Sequence, residues 1–291
     1  MLTKVLVPLD DSVLSHGILT HVRRILLQEG AAVKLVRVLS RAELSRATTD
    51  EEIVSLARAH LSRVVTLLEE RGIEASYELL VGDAAGRILD LAEDWQPSLM
   101  AMASHGRSGA DRWIRGSVAE RVLRGSRFPL LLSNPIQLEG DPWWGAPEGS
   151  RDLAREVAWK RILVPLDGSE LSASILPLAA DVARLHSSEI VLFHVHERGS
   201  PEDPKQTLDP YRRLLEGIPV TTRVAEGDPA LAILDAASES LVDLVAMTTH
   251  GRSGISRWAF GSVAEHVIRH CASPLLVQRT AGTKGSPLPT E

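Results

Sequence analysis

Cysteine is nearly missing from this chain: among 291 residues only Cys271 carries a thiol, so no disulfide can close within it and a fold stapled by bridges is excluded. The expected place of Cys271 is that of a small buried residue in a helix. Long apolar runs are missing too. No stretch approaches the length that spans a bilayer, and Met1 leads straight into a short strand-like run in place of a signal peptide, which predicts a soluble, cytoplasmic protein with no membrane partner. Basic charge is not in excess. Lys and Arg number 32 against 38 Asp and Glu, a net charge of −6, so nucleic acid is not an expected partner. Neither G-x-x-x-x-G-K-[ST] nor G-x-G-x-x-G occurs, which argues against a P-loop ATPase mechanism.

What is present is a repeat. Ser104 to Leu123, SHGRSGADRWIRGSVAERVL, returns from Thr249 to Ile268 as THGRSGISRWAFGSVAEHVI, identical at thirteen of twenty positions, and such a match within one chain marks an internal duplication. Earlier, RILVPLD at 161–167 matches KVLVPLD at 4–10 with an offset of 157 (167 − 10), whereas Gly251 and Gly106 differ by 145 (251 − 106). The second copy is therefore shorter by 12 residues (157 − 145), after its second strand, where PEDPKQTLDPYRRLLEG replaces a longer loop and helix. The length suits two domains. They are placed at 1–136 and 159–280, separated by a linker at 137–158 and followed by a disordered tail at 281–291. The linker is rich in Pro, Gly and acidic residues yet contains Trp143 and Trp144. Two adjacent indoles in such a segment are predicted to dock on a domain surface and fix the halves relative to each other.

In the first copy, Thr3–Leu9, Val33–Leu39, Tyr77–Val81, Leu99–Ala103 and Pro129–Leu132 read as strands, the first a Val- and Leu-rich run of the kind found in buried parallel sheets. Between them apolar residues recur at helical intervals, from Val13 to Leu26, from Ile53 to Leu68 and from Ile88 to Leu91. Asp83 is placed to cap the last of these, and a final helix starts at Ser117. Strands alternating with helices require crossover connections and a sheet covered on both faces. The fold class is therefore α/β: two doubly wound, open, parallel five-stranded, Rossmann-like domains in tandem. Ligands of such sheets sit beyond the carboxyl ends of the strands, near the point where strand order reverses. Asp10, Val38 and the loop after Ala103 lie at such ends.

The repeated stretch follows a strand and opens a helix, as a phosphate cradle does. Gly116, Ser117 and Val118, and in the second copy Gly261, Ser262 and Val263, are placed to present amides to an anion at a helix N-terminus. Arg107 and Arg252 are placed to approach a phosphate, whereas Arg112 and Arg257 read as solvent-exposed. A structural reading competes: Ser117 with Glu120, and Ser262 with Glu265, have the spacing of a capping box. Retention of two glycines in each copy, Gly106 with Gly116 and Gly251 with Gly261, favours a ligand. His105 and His250 read as structural because no nucleophile and acidic partner accompany them. His194 and His196 share a strand face but lack a third ligand. No catalytic and no metal-ligating residue is assigned.

On these residues the chain resembles a tandem universal stress protein built from two UspA-type domains. That family's ATP-binding signature, G-x2-G-x9-G-[ST], is matched in its last three fixed positions by Gly106, Gly116 and Ser117 and by Gly251, Gly261 and Ser262. Ala103 and Thr248 stand where its first glycine does. The resemblance implies ATP, assisted by Mg²⁺, with Asp10 and Asp167 touching the adenosine part and the backbone at Val38 and Val195 holding adenine. It puts Ala103 and Thr248 near the ribose, where a methyl is easier to fit than a branched side chain. The strand-one loop Asp167-Gly168-Ser169 is closer to the family than Asp10-Asp11-Ser12, whose extra carboxylate would repel phosphate if turned inward.

The resemblance also implies that the last strands of the two copies pair with each other in an internal pseudo-dimer, with association of two chains a further expectation. The implied role is a stress-response regulator or sensor that binds adenine nucleotide and hydrolyses it slowly at most, acting on a downstream partner the sequence does not name. The rival is an interaction scaffold whose loops are only helix caps. A related adenylyl transferase is disfavoured, since no H-x-G-H or S-G-G-x-D-S motif occurs.

Overall fold

The computed structural model describes residues 2–10, 12–26, 30–45, 49–103, 117–133, 158–196, 204–239, 242–250 and 260–279. Trp143, Trp144 and the tail lie outside them. The first copy runs β1 (Lys4–Pro8), α1 (Val13–His16), α2 (Ile18–Ile25), β2 (Ala32–Leu39), α3 (Arg41–Leu44), α4 (Asp50–Glu69), β3 (Glu74–Val81), α5 (Ala84–Trp95), β4 (Leu99–Ala103), α6 (Ser117–Gly125) and β5 (Leu130–Ser133). The second runs β6 (Arg161–Pro165), α7 (Glu170–Ala173), α8 (Leu176–His186), β7 (Glu189–His196), α9 (Pro204–Arg213), β8 (Val220–Glu226), α10 (Pro229–Ser238), β9 (Leu244–Thr248), α11 (Ser262–His270) and β10 (Leu275–Gln278).

Local chemistry sets these bounds. The side chain of Asp83 accepts a hydrogen bond from the Gly86 N–H at 2.9 Å and starts α5, as its position predicted. The single helix predicted over Val13 to Leu26 is divided at Gly17 into α1 and α2. The polar loop predicted after β2 instead begins with α3, held by a reciprocal pair: Ser40 accepts from the Glu43 N–H while the Glu43 carboxylate accepts from the Ser40 N–H.

Each half forms a parallel sheet in the order 3-2-1-4-5 or its counterpart, with β1 between β2 and β4, and β6 between β7 and β9. The halves are not two separate sheets. β5 and β10 pair antiparallel, Leu130 with Val277, Leu131 with Leu276 and Leu132 with Leu275, so ten strands make one sheet. Leu131 and Leu276 are 0% and 1% exposed. At about 1.5–3 kcal/mol for each fully buried leucine, the seam is hydrophobic core. Strand alternation sends Val5, Val7 and Leu131 to one face, packed by α2, α4 and α8, and Leu6, Leu130 and Leu132 to the other, packed by α5, α6, α10 and α11.

On the first face the halves are locked by Trp159, which is wholly buried between α2 and α8. Its ring lies 6.4 Å from that of His21 and 5.1 Å from that of His186, and the Arg24 guanidinium sits 5.6 Å from its centre. The Ser188 hydroxyl donates to its carbonyl at 2.6 Å. Neither imidazole and no indole N–H of this group has a hydrogen-bond partner among the described residues. Burial, with the nearby Arg24 charge second, pushes His21 down to about 3 and His186 down to about 4. Both rings are neutral at neutral pH, and the seam depends on their staying so. Cys271, just past the end of α11, is buried, and burial pushes its thiol up to about 11. That suits the packing role predicted for it, though it caps the helix rather than lying within it.

Candidate functional site

Parallel order puts the carboxyl ends of β2, β1 and β4 side by side, and with them Val38, Asp10 and Ala103; β7, β6 and β9 do the same for Val195, Asp167 and Thr248. Because β2 and β4 leave β1 on opposite sides, the point of strand reversal lies here in each copy. Ser117 and Ser262 open the helices that follow β4 and β9. Gly106, Arg107 and Gly116, and Gly251 and Arg252, lie outside the described residues.

Asp10 and Asp167 anchor the same network. The Ser12 hydroxyl and N–H both donate to Asp10 Oδ1, at 2.5 and 3.1 Å, and Ser12 in turn caps α1 by accepting from the Ser15 N–H. In the second copy Ser169 donates to Asp167 Oδ1 at 2.6 and 3.0 Å and caps α7 through the Ser172 N–H. The serine, not the aspartate, is therefore the helix cap. The aspartate is held rigidly just past the strand, one oxygen committed to the loop.

The copies differ in what grips this loop. In the first, His16 Nδ1 lies 2.6 Å from the Ser12 carbonyl and must carry the proton, because a carbonyl only accepts. Its Nε2 lies 2.7 Å from Nε2 of His60 on α4. In the second, Tyr211 of α9 donates to the Gly168 carbonyl at 3.0 Å, and Gly168 has φ 84, a conformation glycine adopts without strain. The strand edge differs as well. Arg37 is buried, donates to the Val38 carbonyl at 3.2 Å and pairs with Glu43 at 2.7 Å. Burial pushes the Glu43 carboxyl up, but the Ser40 N–H and hydroxyl and the Arg37 guanidinium together hold it below the usual range. The matching residue, His194, turns Nδ1 to the Leu166 carbonyl at 2.8 Å, so it is a structural histidine. Among the described residues no group of three or more His, Cys, Asp or Glu could hold a metal.

At the opening of α11 the capping-box reading fails. Gly261 is the N-cap of α11, so Ser262 sits one position inside the helix, and Glu265 lies 2.5 Å from Arg269. Glu120 likewise pairs with Arg124 at 2.9 Å. The Gly261 N–H is not available to an anion, since it donates to the Thr249 carbonyl at 3.0 Å and closes the base of the loop. The next three amides, of Ser262, Val263 and Ala264, have no backbone partner among the described residues, because the first helical bond runs from the Glu265 N–H to the Gly261 carbonyl. Ser117, Val118 and Ala119 open α6 with no backbone partner recorded among the described residues either. Thr248, buried where the signature has its first glycine, donates its hydroxyl to the His250 carbonyl at 2.7 Å. His250 Nδ1 in turn lies 2.9 Å from the Thr249 hydroxyl.

Three features escaped sequence reasoning. The Arg37–Glu43 pair, the His16–His60 contact and the Tyr211 tether join positions 6, 44 and 43 residues apart, and no local spacing signals them. Only the box-like Ser40 and Glu43 could have been read.

Comparison with known proteins agrees with this architecture. The Universal stress protein family matches residues 1–133 and again 158–279. A universal stress protein of Methanocaldococcus jannaschii is 30% identical over 141 residues, 42% of this chain and 83% of its own. One of Bacillus subtilis is 28% identical over 147 residues, again 42% of this chain and 99% of its own. A crystal structure of a universal stress protein from Archaeoglobus fulgidus superposes with a TM-score of 0.74 at 25% identity, covering 96% of this chain and 99% of that one. Among the described residues no helix is long and apolar enough to cross a membrane. Matched twice, in both halves and over most of its length, the chain belongs to the universal stress protein family.

Proposed function

We propose that this universal stress protein binds an adenine nucleotide, ATP with Mg²⁺, at the carboxyl ends of the strands in one or both copies, and that occupancy regulates a stress response in the cytoplasm. The observation that carries the reading is Gly261. Its backbone, at φ −59 and ψ 144, is open to any residue, and an added Cβ would come no closer than 3.5 Å to the Thr249 carbonyl. Among the described residues neither conformation nor packing asks for glycine there. A phosphate approaching the open amides of Ser262, Val263 and Ala264 does.

Asp10 and Asp167, fixed by their serines, are the groups to meet the sugar, and the Val38 and Val195 backbone the groups to meet the base. Ala103, Gly106, Arg107, Gly116, Ser117 and Val118 complete the first site; Thr248, Gly251, Arg252, Gly261, Ser262 and Val263 complete the second. Mg²⁺ would take its oxygens chiefly from the phosphates and water, as this ion does at nucleotide sites. Nothing in this set serves as a general base, so hydrolysis is slow at most. Any association of two chains uses another surface, because the last strands already pair with each other.

The test is acid extraction of the purified protein for co-purified adenine nucleotide, followed by titration with ATP. Nucleotide released, or saturable binding, supports the reading. Neither one at millimolar ATP leaves the scaffold, in which the loops serve structure alone.

A further inference from the structure

We propose that Arg124, in the first copy, is a positioning residue for Phe260 and Gly261 at the entry to α11 in the second, so that the helix opening of the second site is set from across the seam; this rests on the nucleotide reading above. Helix α6 opens at the first site with Ser117 and ends beside β5, the strand that pairs with β10. From its last turn Arg124 reaches into the other half, its guanidinium 4.6 Å from the centre of the Phe260 ring. Phe260 is buried at 9% exposure and directly precedes Gly261, whose N–H closes the loop base on Thr249. A cation over a partly desolvated aromatic face is an attractive contact, and here it bears on the residue that sets the entry to α11.

Arg124 is itself held from both sides. Glu120 accepts from its Nε and Nη2 at 3.1 and 2.9 Å, and Arg279, just past β10, donates to its carbonyl. One end of α6 thus opens at the first site with Ser117, while its other end braces the entry to α11 at the second.

The corresponding positions do not repeat the pair. At the offset of 145 the counterpart of Phe260 is Arg115, which offers no ring, and the counterpart of Arg124 is Arg269, which pairs with Glu265 on its own helix. Occupancy of the first site, by fixing the start of α6, would therefore be coupled through this one contact to occupancy of the second, by the same factor in either direction.

Hydrogen exchange of the full chain tests this. In Arg124→Ala the Gly261 amide and those that follow it should exchange faster, while β6 and β7 stay as in the unaltered protein. Phe260→Leu, which keeps an apolar side chain, should do the same, and the double variant should go no further than either single one, because both remove one contact. Glu120→Gln leaves the cation over the ring and should change the Gly261 amide least. With ATP as the probe, Arg124→Ala should weaken the second site by roughly 3- to 10-fold, the span a contact of this kind supplies. Unaltered exchange at Gly261 in Arg124→Ala, or additive effects in the double variant, overturns the proposal. If the unaltered protein binds no ATP, the nucleotide reading fails, and the exchange result still decides whether Arg124 positions Phe260 and Gly261.

Discussion

Acidification should unlock the seam, and the structure sets how much. His21 is 4% exposed against Trp159, with neither ring nitrogen hydrogen-bonded, and its pKa falls from 6.5 to about 3 through burial first and the Arg24 charge second. The folded ring thus binds its proton far more weakly than the unfolded one. The stability this neutral ring contributes is fully present above 6.5 and is lost as pH falls from there toward 3. At about pH 5 the unfolded chain has protonated and the folded chain has not, which costs about 1.5 pH units at 1.36 kcal/mol each, or about 2 kcal/mol. His186 acts in the same direction, with its pKa lowered to about 4. Counted at half for its position nearer solvent, it brings the loss to about 3 kcal/mol. The assay is urea unfolding of the full chain at about pH 8 and about pH 5, for the unaltered protein and His21→Phe. The variant should lose about 2 kcal/mol less between the two conditions, whatever its absolute stability. Equal losses in both proteins would refute the argument, as would a His21 ring that titrates near 6.5 by NMR.

Further outcomes follow from other contacts. Trp159→Ala should destabilise the chain by about 3–5 kcal/mol, the usual cost of emptying a large buried aromatic site, read as a lower urea midpoint. His60→Ala should speed exchange of the Ser15 and His16 amides at the first strand-one loop, and Tyr211→Phe should do so at Ser172 in the second, each leaving the other copy unchanged. Asp10→Ala and Asp167→Ala should each free their serine and weaken ATP binding in their own copy alone, measured by titration of each variant.

Much of this was legible in sequence, and the reasons are local. β4 is apolar throughout, and β1 and β9 are apolar but for Lys4 and Thr248 at their ends, because both their faces are covered, so their composition identifies them. β3 begins at Glu74, before the Tyr77 read as its start, because an edge strand is half exposed and its pattern does not alternate cleanly. The break at Gly17 is a matter of capping within one apolar stripe, and periodicity does not register it. Helix α11 opens at Ser262, with Gly261 and not the serine as its cap, since S-x-x-E occurs inside helices as well as at their caps. Trp143 and Trp144, expected to fix the halves, lie outside the described residues, whereas Trp159 packs between α2 and α8, and a lone indole before a strand carries no spacing to mark it. Pairing of the last strands followed from the resemblance and is seen in the β5–β10 ladder, whereas the Arg124–Phe260 contact joins residues 136 positions apart (260 − 124) and is visible only in three dimensions.

The most direct test of the central claim is calorimetric titration of the full chain with ATP and Mg²⁺, beside Gly116→Val, Gly261→Val and the double variant. The account predicts saturable binding by the unaltered protein, loss of one site in a single variant wherever that copy is occupied, and none left in the double. Binding of unchanged stoichiometry in the double variant would show that the nucleotide lies elsewhere and would contradict it.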